Sequence, residues 1–197
     1  IPSGSAAVNG RFGKARAGSY VQGDDDLGQL AFGSGSFTVE GWIKTTPLVA
    51  GSSYQLMGRT YAIPNGTAQE YGVHLDGAGN LTALIYPATG PVVQAVMPAT
   101  AFDVDDGAWH AVAMVVNRET GKLELYVDGV MRKDADIPAG FGAVKVVSSF
   151  RFRMGDRSSS TGPNYFPGSI DEVRVSSSAH SAAQILASAQ GTTTPTV

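Results

Sequence analysis

Residues 106–129 read DGAWHAVAMVVNRETGKLELYVDG and contain two apolar runs, 109–116 and 123–127, joined by the polar segment 117–122, whose next-to-last residue is Gly121. The second run alternates between apolar and polar residues, which is the period of a strand with one buried face. The first run is apolar almost throughout, as is typical of a strand covered on both faces. A strong hairpin signal, Asp128-Gly129, follows the second run. These features predict the centre of an antiparallel β-meander.

The rest of the chain repeats this pattern of short apolar runs, which recur roughly every 8–12 residues with turn residues between them. One of these runs, 144–154, is predicted to be a further strand. Such spacing with almost no helical periodicity predicts two antiparallel sheets packed face to face. The one helix signal is a capping box formed by Ser181 and Gln184, with Gly191 as its stop.

Both ends of the chain differ from this pattern. Residues 1–10 are small and polar, and we predict a loosely held lead-in there. Residues 192–197 are a Thr/Pro tract, which cannot bury a core and predicts a linker to a neighbouring, covalently attached domain. We therefore expect one domain over residues 1–191.

The composition excludes several classes of protein. The formal net charge is −3, whereas nucleic-acid binders normally present a basic face. No apolar run reaches 18 residues, so the sequence predicts no membrane span. The chain has no cysteine, which excludes disulfides and cysteine-based metal sites.

Four motifs carry a resemblance to a known family. Residues 109–113, WHAVA, followed by 125–129, LYVDG, resemble the signature of laminin-G-like (LamG, concanavalin A-like lectin/glucanase) jelly-roll domains. Residues 37–44, FTVEGWIK, and 168–175, GSIDEVRV, are similar to two further strands of that family, in the same order. The opening residues 12–15, FGKA, also agree. The resemblance implies an all-β, two-sheet antiparallel jelly-roll sandwich, with one short C-terminal helix.

Candidate sugar-binding residues follow from the chemistry of carbohydrate sites, which combine aromatic faces with planar polar side chains. Side chains of this kind at outward strand positions and on the late loop are His74, Tyr86, Arg151, Arg153 and Tyr165. Arg151 and Arg153 are two residues apart, so they share a strand face, and such a pair suits the carboxylate or sulfate of an acidic sugar. Ion pairs on an ordinary solvated sheet are the alternative.

The resemblance also implies a structural calcium ion. In similar domains the Asp of the closing strand holds Ca²⁺ near the N-terminal segment, which here implies Asp171 with help from carbonyls around Asn9. Asp26, in the acidic cluster 24–26, is a second candidate ligand. A hydrogen-bonded strand-end acid and a solvated acidic turn are the respective alternatives. Residues 17–19 depart from the family's usual Asp-Gly, which weakens the full ligand set.

The sequence predicts no catalytic constellation. Its three histidines, His74, His110 and His180, lie outside any GxSxG-type nucleophile motif. Related glucanases carry their acids on an ExDxxE-type strand, and this motif is missing here. Asp171 and Glu172 are adjacent and so face opposite sides of a strand, whereas glycosidases need two converging carboxylates.

These observations lead to a functional expectation. We expect a non-catalytic carbohydrate-binding module that is secreted or extracellular, is attached to a larger protein or enzyme, and takes a glycan or polysaccharide, including an acidic one, as its partner. A protein-interaction or adhesion module and a structural spacer without ligand are the alternatives.

Overall fold

The computed structural model describes residues 6–17, 21–22, 28–63, 66–147, 150–157 and 165–191. Within these ranges the chain forms thirteen strands and one helix. Their bounds are β1 Ala6–Asn9, β2 Lys14–Ala17, β3 Val21–Gln22, β4 Phe37–Thr45, β5 Ser53–Ile63, β6 Gly66–Asp76, β7 Leu81–Ile85, β8 Val93–Met97, β9 Trp109–Asn117, β10 Lys122–Val127, β11 Val130–Asp136, β12 Arg151–Arg157, β13 Gly168–Ser176 and α1 Ala182–Ala189.

The strands form two sheets. The seven-stranded sheet has the order β1-β2-β13-β4-β9-β10-β11, and the six-stranded sheet has the order β3-β12-β5-β6-β7-β8. Every pairing between these strands is antiparallel. The predicted two-sheet antiparallel sandwich is confirmed, and the stretch 106–129 supplies two central strands of the larger sheet.

The core lies between the sheets and follows the alternation of the strands. In β4 the side chains of Phe37, Val39 and Ile43 are completely buried in it. Phe37 stacks on Phe32 with ring centroids 4.5 Å apart and reaches Tyr71 of the opposite sheet at 4.7 Å. Aromatic and β-branched residues at every second position therefore hold the two sheets together.

The outer face of the seven-stranded sheet is covered by α1. Ile185 of α1 packs with Ala113, Val115 and Tyr126, so β9 is buried on both faces as its continuous apolar run predicts. The helix begins after Ser181, whose Oγ accepts from the Gln184 N–H at 3.4 Å while the Ser181 N–H donates to Gln184 Oε1 at 2.8 Å. The predicted capping box is confirmed.

Two predictions about the strands are wrong. Residues 6–9 are a strand, β1, which pairs with β2 over four residues, although small polar residues give no periodic signal. The predicted strand 144–154 begins only at Arg151. Before it, Val144 makes a single bridge to Pro87, and the Val147 N–H turns to the carboxylate of Glu70, so the backbone leaves the ladder. The tail 192–197 lies outside the described residues, and the division at residue 191 stays a prediction.

No helix in the described ranges has the length and apolar character needed to cross a lipid bilayer.

Candidate functional site

The outer face of the six-stranded sheet carries a gap in its side chains. Backbone register aligns Arg153, Gly58, Gly72, Leu84 and Gln94 in one row across β12, β5, β6, β7 and β8. Neighbouring strands lie about 4.8 Å apart. The two glycines therefore add no side chains to the middle of the row, between Arg153 on one side and Leu84 on the other, and neighbouring side chains cover them.

A polar groove of about 370 Å³ lies on this face. Its lining contains His74 and Tyr86, two of the predicted carbohydrate-binding residues, and it extends from β5 across to β8. The lining residues are Ser53, Gln69, His74, Asp76, Thr82, Leu84, Tyr86 and Gln94. The structure thus brings together two side chains that lie twelve residues apart in the sequence.

Several buried polar atoms along this face have no hydrogen-bond partner among the described residues. They are both side-chain polar atoms of Gln55, Oγ1 of Thr60, Oε1 of Gln69 and Nε2 of His74. Gln55 pairs with His74 across the strands, and Thr60 pairs with Gln69. Each unmet group costs about 1–3 kcal/mol, and most buried polar side chains in proteins do find a partner. A row of unmet groups beside an open groove therefore favours a polar ligand.

The two glycines adjoin these atoms. A Cβ placed on Gly72 would lie 3.4 Å from His74 Nε2 and 3.5 Å from Gln55 Nε2. The absence of side chains at Gly58 and Gly72 lets the side chains of Gln55 and His74 lie close over the backbone, so that both glycines are buried beneath them.

His74 is uncharged at neutral pH. Burial lowers its pKa from 6.5 to about 4, because the charged imidazolium loses its hydration. A neutral imidazole has one donor and one acceptor nitrogen, which suits a hydroxyl group better than an anion.

Arg151 and Arg153 lie on the same face but outside the groove lining. Both point away from the inward Phe152, and β5 separates them from β6 and His74. Arg153 Nε donates to Gln22 Oε1 at 3.2 Å, and Arg151 Nη1 donates to the Phe150 carbonyl at 3.1 Å. They flank the glycine gap on the side opposite Tyr86.

Tyr165 is half-buried and precedes Phe166, which packs against Tyr54 with ring centroids 6.1 Å apart. It is not among the groove-lining residues.

Sequence reasoning missed the glutamines of the site. Gln94 alternates with the buried Val93 and Ala95, so period-two reading could have placed it outward. Gln55 could not be placed in this way, because a register shift between Gln55 and Met57 turns both Leu56 and Met57 into the core.

The candidate calcium residues are engaged by nitrogen donors. Asp171 Oδ2 accepts from the Phe12 N–H at 3.1 Å, and its Oδ1 accepts from the Glu172 N–H at 2.9 Å. Asn9 Oδ1 accepts from the Lys14 ammonium at 3.2 Å, a positive charge where a cation would bind. A calcium site needs six or more oxygen ligands, and both oxygens of Asp171 here accept from backbone N–H groups.

The wider search for a metal site gives no second candidate. Within the described ranges no three His, Asp or Glu side chains gather as a metal site would require, and Asp26 lies outside those ranges. Calcium binding at Asp171 and Asn9, or at Asp26, stays a prediction.

A second histidine forms a charged clamp at the start of β9. His110 Nδ1 lies 2.8 Å from Asp128 Oδ2, and its Nε2 lies 3.0 Å from Asp106 Oδ1. The hydrogen bond to Asp128, more than the one to Asp106, raises the pKa of His110 above 6.5 despite its partial burial. The clamp ties the loop before β9 to the β10–β11 turn, where Asp128 has a φ of 53°. Its role is structural, since the clamp lies outside the groove lining.

The two histidines should shape the pH dependence of stability in opposite ways. His110 has a raised pKa, so its contribution is complete below pH 6.5 and is lost as the pH rises through its folded pKa. His74 has a lowered pKa, so stability falls as the pH drops from 6.5 towards 4, with a slope approaching about 1.4 kcal/mol per pH unit. We expect maximal stability near pH 6.5, measured by urea denaturation between pH 5 and 9.

Single substitutions separate these effects. His110→Gln should remove the decline on the alkaline side, and His74→Gln should remove the decline on the acidic side. The control is His180→Gln, at a residue next to α1, and it should leave both the acidic and the alkaline decline in stability in place. An unchanged alkaline slope in His110→Gln would contradict the assignment.

Comparison with known proteins gives one family. The laminin-G model described as the Concanavalin A-like lectin/glucanases superfamily matches residues 15–186, most of the chain. No curated protein sequence matches the chain.

Solved structures share the fold at low sequence identity. The binding domain of Paraclostridial Mosquitocidal Protein 1 superposes with a TM-score of 0.73 at 16% identity, over 96% of this chain and 46% of that one. Domain 4 of AbnA, a GH43 extracellular arabinanase from Geobacillus stearothermophilus, was solved in complex with arabinotriose. It superposes with a TM-score of 0.61 at 19% identity, over 95% of this chain and 82% of that one. The ligand-binding domain of botulinum neurotoxin serotype D, in complex with N-acetylneuraminic acid, superposes with a TM-score of 0.61 at 15% identity, over 80% of this chain and 36% of that one.

The chain spans less than half the length of the first of these structures and of the botulinum domain. At such identities the likeness shows the fold, and the family is shown by the match over residues 15–186 together with the two-sheet architecture. The chain belongs to the concanavalin A-like lectin/glucanase superfamily, as a laminin-G-like jelly-roll domain.

Proposed function

We propose that this domain is a non-catalytic carbohydrate-binding module of a secreted protein, and that it binds its glycan in the groove on the outer face of the six-stranded sheet. The observation that carries the proposal is the pair of unmet polar atoms on Gln69 and His74, which line the groove together with Tyr86. A sugar presents hydroxyls and an apolar face together, so it meets both needs at once.

The groove chemistry favours a neutral sugar unit next to His74. The imidazole is uncharged at neutral pH, and Gln69, Gln94 and Thr82 add neutral donors and acceptors. Asp76 is the one carboxylate among the described lining residues, and it is already used by its own turn. Its Oδ1 accepts from the N–H groups of Ala78 and Asn80, and its Oδ2 accepts from the Asn80 amide.

The same fact supports a non-catalytic role. Glycoside hydrolysis needs two carboxyl groups about 5–10 Å apart on either side of the bond that is broken. Asp76 has no second carboxylate facing it within the described lining. Its oxygens hold the β6–β7 turn, which is a structural task.

An acidic sugar unit of the glycan would bind to Arg151 and Arg153. They lie beyond the glycine gap on the same face, so a glycan that crosses the strands would reach them from the His74 end. Guanidinium groups match carboxylate geometry. The structural neighbours support either version, since one was solved with arabinotriose and another with N-acetylneuraminic acid.

A glycan array followed by calorimetry on the best ligand tests the proposal. We expect Tyr86→Ala to weaken binding at least tenfold, because it removes the aromatic face, and Gln94→Ala to weaken it about two- to tenfold by the loss of one hydrogen bond. The array should include arabinan and sialylated oligosaccharides, the two classes that the neighbours suggest.

Two controls make the result specific. Gln190→Ala alters an exposed glutamine after α1, on the other sheet, and should leave the affinity unchanged. Replacing Arg151 and Arg153 together by glutamine should weaken only acidic glycans, so unaltered binding of an acidic hit would remove the acidic version. The absence of any array hit, or full affinity in Tyr86→Ala, would refute the groove as the binding surface.

A further inference from the structure

A second pocket lies on the opposite side of the sandwich, between α1 and the outer face of the seven-stranded sheet. Glu40, Trp42, Ala111 and Ala113 line it from the strands, and Ser188 lines it from the helix. Its free volume is about 20 Å³, enough for one group the size of a water molecule.

Glu40 is the unusual residue of this pocket. Its side chain is buried, with only 8% of the residue exposed, and Oε1 accepts from Ser188 Oγ at 3.1 Å. Oε2 is also buried and has no hydrogen-bond partner among the described residues. A carboxylate with one oxygen unmet in a buried site is unfavourable unless a donor or a cation binds there.

The charges around the pocket leave Glu40 uncompensated. Arg174 lies opposite Glu40 in the strand register, but its Nη2 donates to Glu172 Oε2 at 2.8 Å. A β-bulge between Asp171 and Arg174, with a φ of 48° at Glu172, brings this ion pair to the pocket lining. The three ionisable lining groups therefore sum to one negative charge, and a single positive charge would balance it.

The remaining walls are apolar and tightly spaced. Ala111, Ala113, Ile185 and Ala189 line the pocket, and the Trp42 ring adds an aromatic surface. At Gly129 a Cβ would lie 2.6 Å from Leu186 Cδ1, so the helix can pack this closely only because residue 129 is glycine. The result is a narrow site that takes one small group beside Glu40, with apolar walls around it.

We propose that this pocket binds a primary alkylammonium group, such as the side chain of a lysine or the end of a small diamine. The nitrogen occupies the water-sized space and donates to Glu40 Oε2, and the adjoining methylenes contact the apolar lining residues as the chain leaves this space. Ca²⁺ takes six to eight oxygen ligands, and the head group of a guanidinium is larger than the one water-sized space beside Glu40, which an ammonium group fills. The site is independent of the glycan groove, which lies on the other sheet.

Titration of n-butylammonium chloride into ¹⁵N-labelled protein tests the proposal. We expect saturable shifts of the amide signals of Gly41, Ala113, Gly129 and Ser188, with a dissociation constant in the millimolar range. Glu40→Gln keeps the shape of the side chain, removes its charge and should weaken this binding at least tenfold. Glu119→Gln makes the same charge change on an exposed turn and should leave it unchanged.

Controls on the wild-type protein keep the test decisive if Glu40→Gln does not fold. Tetramethylammonium, which has no N–H donor and is too wide, and 1-butanol, which has no charge, should give no saturable shifts at these amides. Nα-acetyl-lysine methylamide, which keeps its side-chain amine free, is compared with cadaverine to show whether a protein lysine or a free diamine binds more tightly. Equal shifts with n-butylammonium and sodium chloride, or equal affinity in Glu40→Gln, would overturn the proposal.

Discussion

Replacing Arg59 by methionine should lower the free energy of unfolding by about 3–5 kcal/mol. Arg59 and Glu70 are fully buried, and Arg59 Nη1 lies 2.5 Å from both carboxylate oxygens of Glu70. The Val147 N–H also donates to Glu70. Loss of the guanidinium leaves the buried carboxylate of Glu70 without its counter-charge, and an uncompensated buried charge is what makes a broken buried pair costly.

The double variant Arg59→Met with Glu70→Leu gives the sharper comparison. Because it removes both charges, it should recover most of the loss, as buried pairs replaced by apolar residues of similar volume often do. Urea denaturation followed by circular dichroism measures both variants. Arg174→Met breaks the Arg174–Glu172 pair, whose side chains are 48% and 34% exposed, and should cost less than about 1 kcal/mol. Equal losses for Arg59→Met and Arg174→Met would contradict the argument.

The buried pair also shows where sequence reasoning ends. Period-two alternation places the core of β4, β9 and β10 correctly, because each strand keeps its register along its length. In β5 two register shifts, after Gln55 and after Arg59, alter which residues face inward. Alternation alone would then predict an outward position for a charged residue such as Arg59, whereas the fold buries it with Glu70.

The candidate site likewise contains residues that the sequence can predict and residues that it cannot. Sequence reasoning can reach His74 and Tyr86, because His74 stands at an alternating position of β6 and Tyr86 directly follows β7 in the same alternation. The unmet state of Gln55 and Gln69 was not accessible, because it depends on which residues the neighbouring strands place beside them. The first strand, 6–9, could not be predicted because its four residues give no periodic signal, and only the pairing with β2 shows that they are extended.

The six-stranded sheet buries polar groups on both of its faces. On the inner side Arg59 is matched by Glu70 and by the backbone of Val147, so the core contains a neutralised pair. On the outer side, groups on Gln55, Thr60 and His74 remain unmet although they are buried. Stability alone would favour partners for these groups, so their retention is consistent with a binding surface that pairs them only when a ligand is present.

Gly58→Ala is expected to lower the free energy of unfolding by about 2–3 kcal/mol and to weaken glycan binding in the groove. The added Cβ would lie 2.4 Å from the carbonyl oxygen of Tyr71 and 2.5 Å from the Cα of Gly72. Both are backbone atoms of the paired strand β6, so they cannot rotate away as a flexible side chain would. Either β5 and β6 separate at this point, or the bulge nearby rearranges, and each response distorts the floor between Arg153 and His74.

Gly140→Ala is the matched control, because a Cβ at residue 140 meets nothing within 4 Å and its backbone conformation suits other residues. It should be neutral, or stabilising by about 0.4–1 kcal/mol through the lower entropy of the unfolded chain. Urea denaturation gives both stabilities, and calorimetry with the glycan found on the array gives both affinities. If Gly58→Ala matched Gly140→Ala in stability, the close approach of β6 would be wrong. If it lost stability but kept full affinity, the glycine floor would have no part in binding.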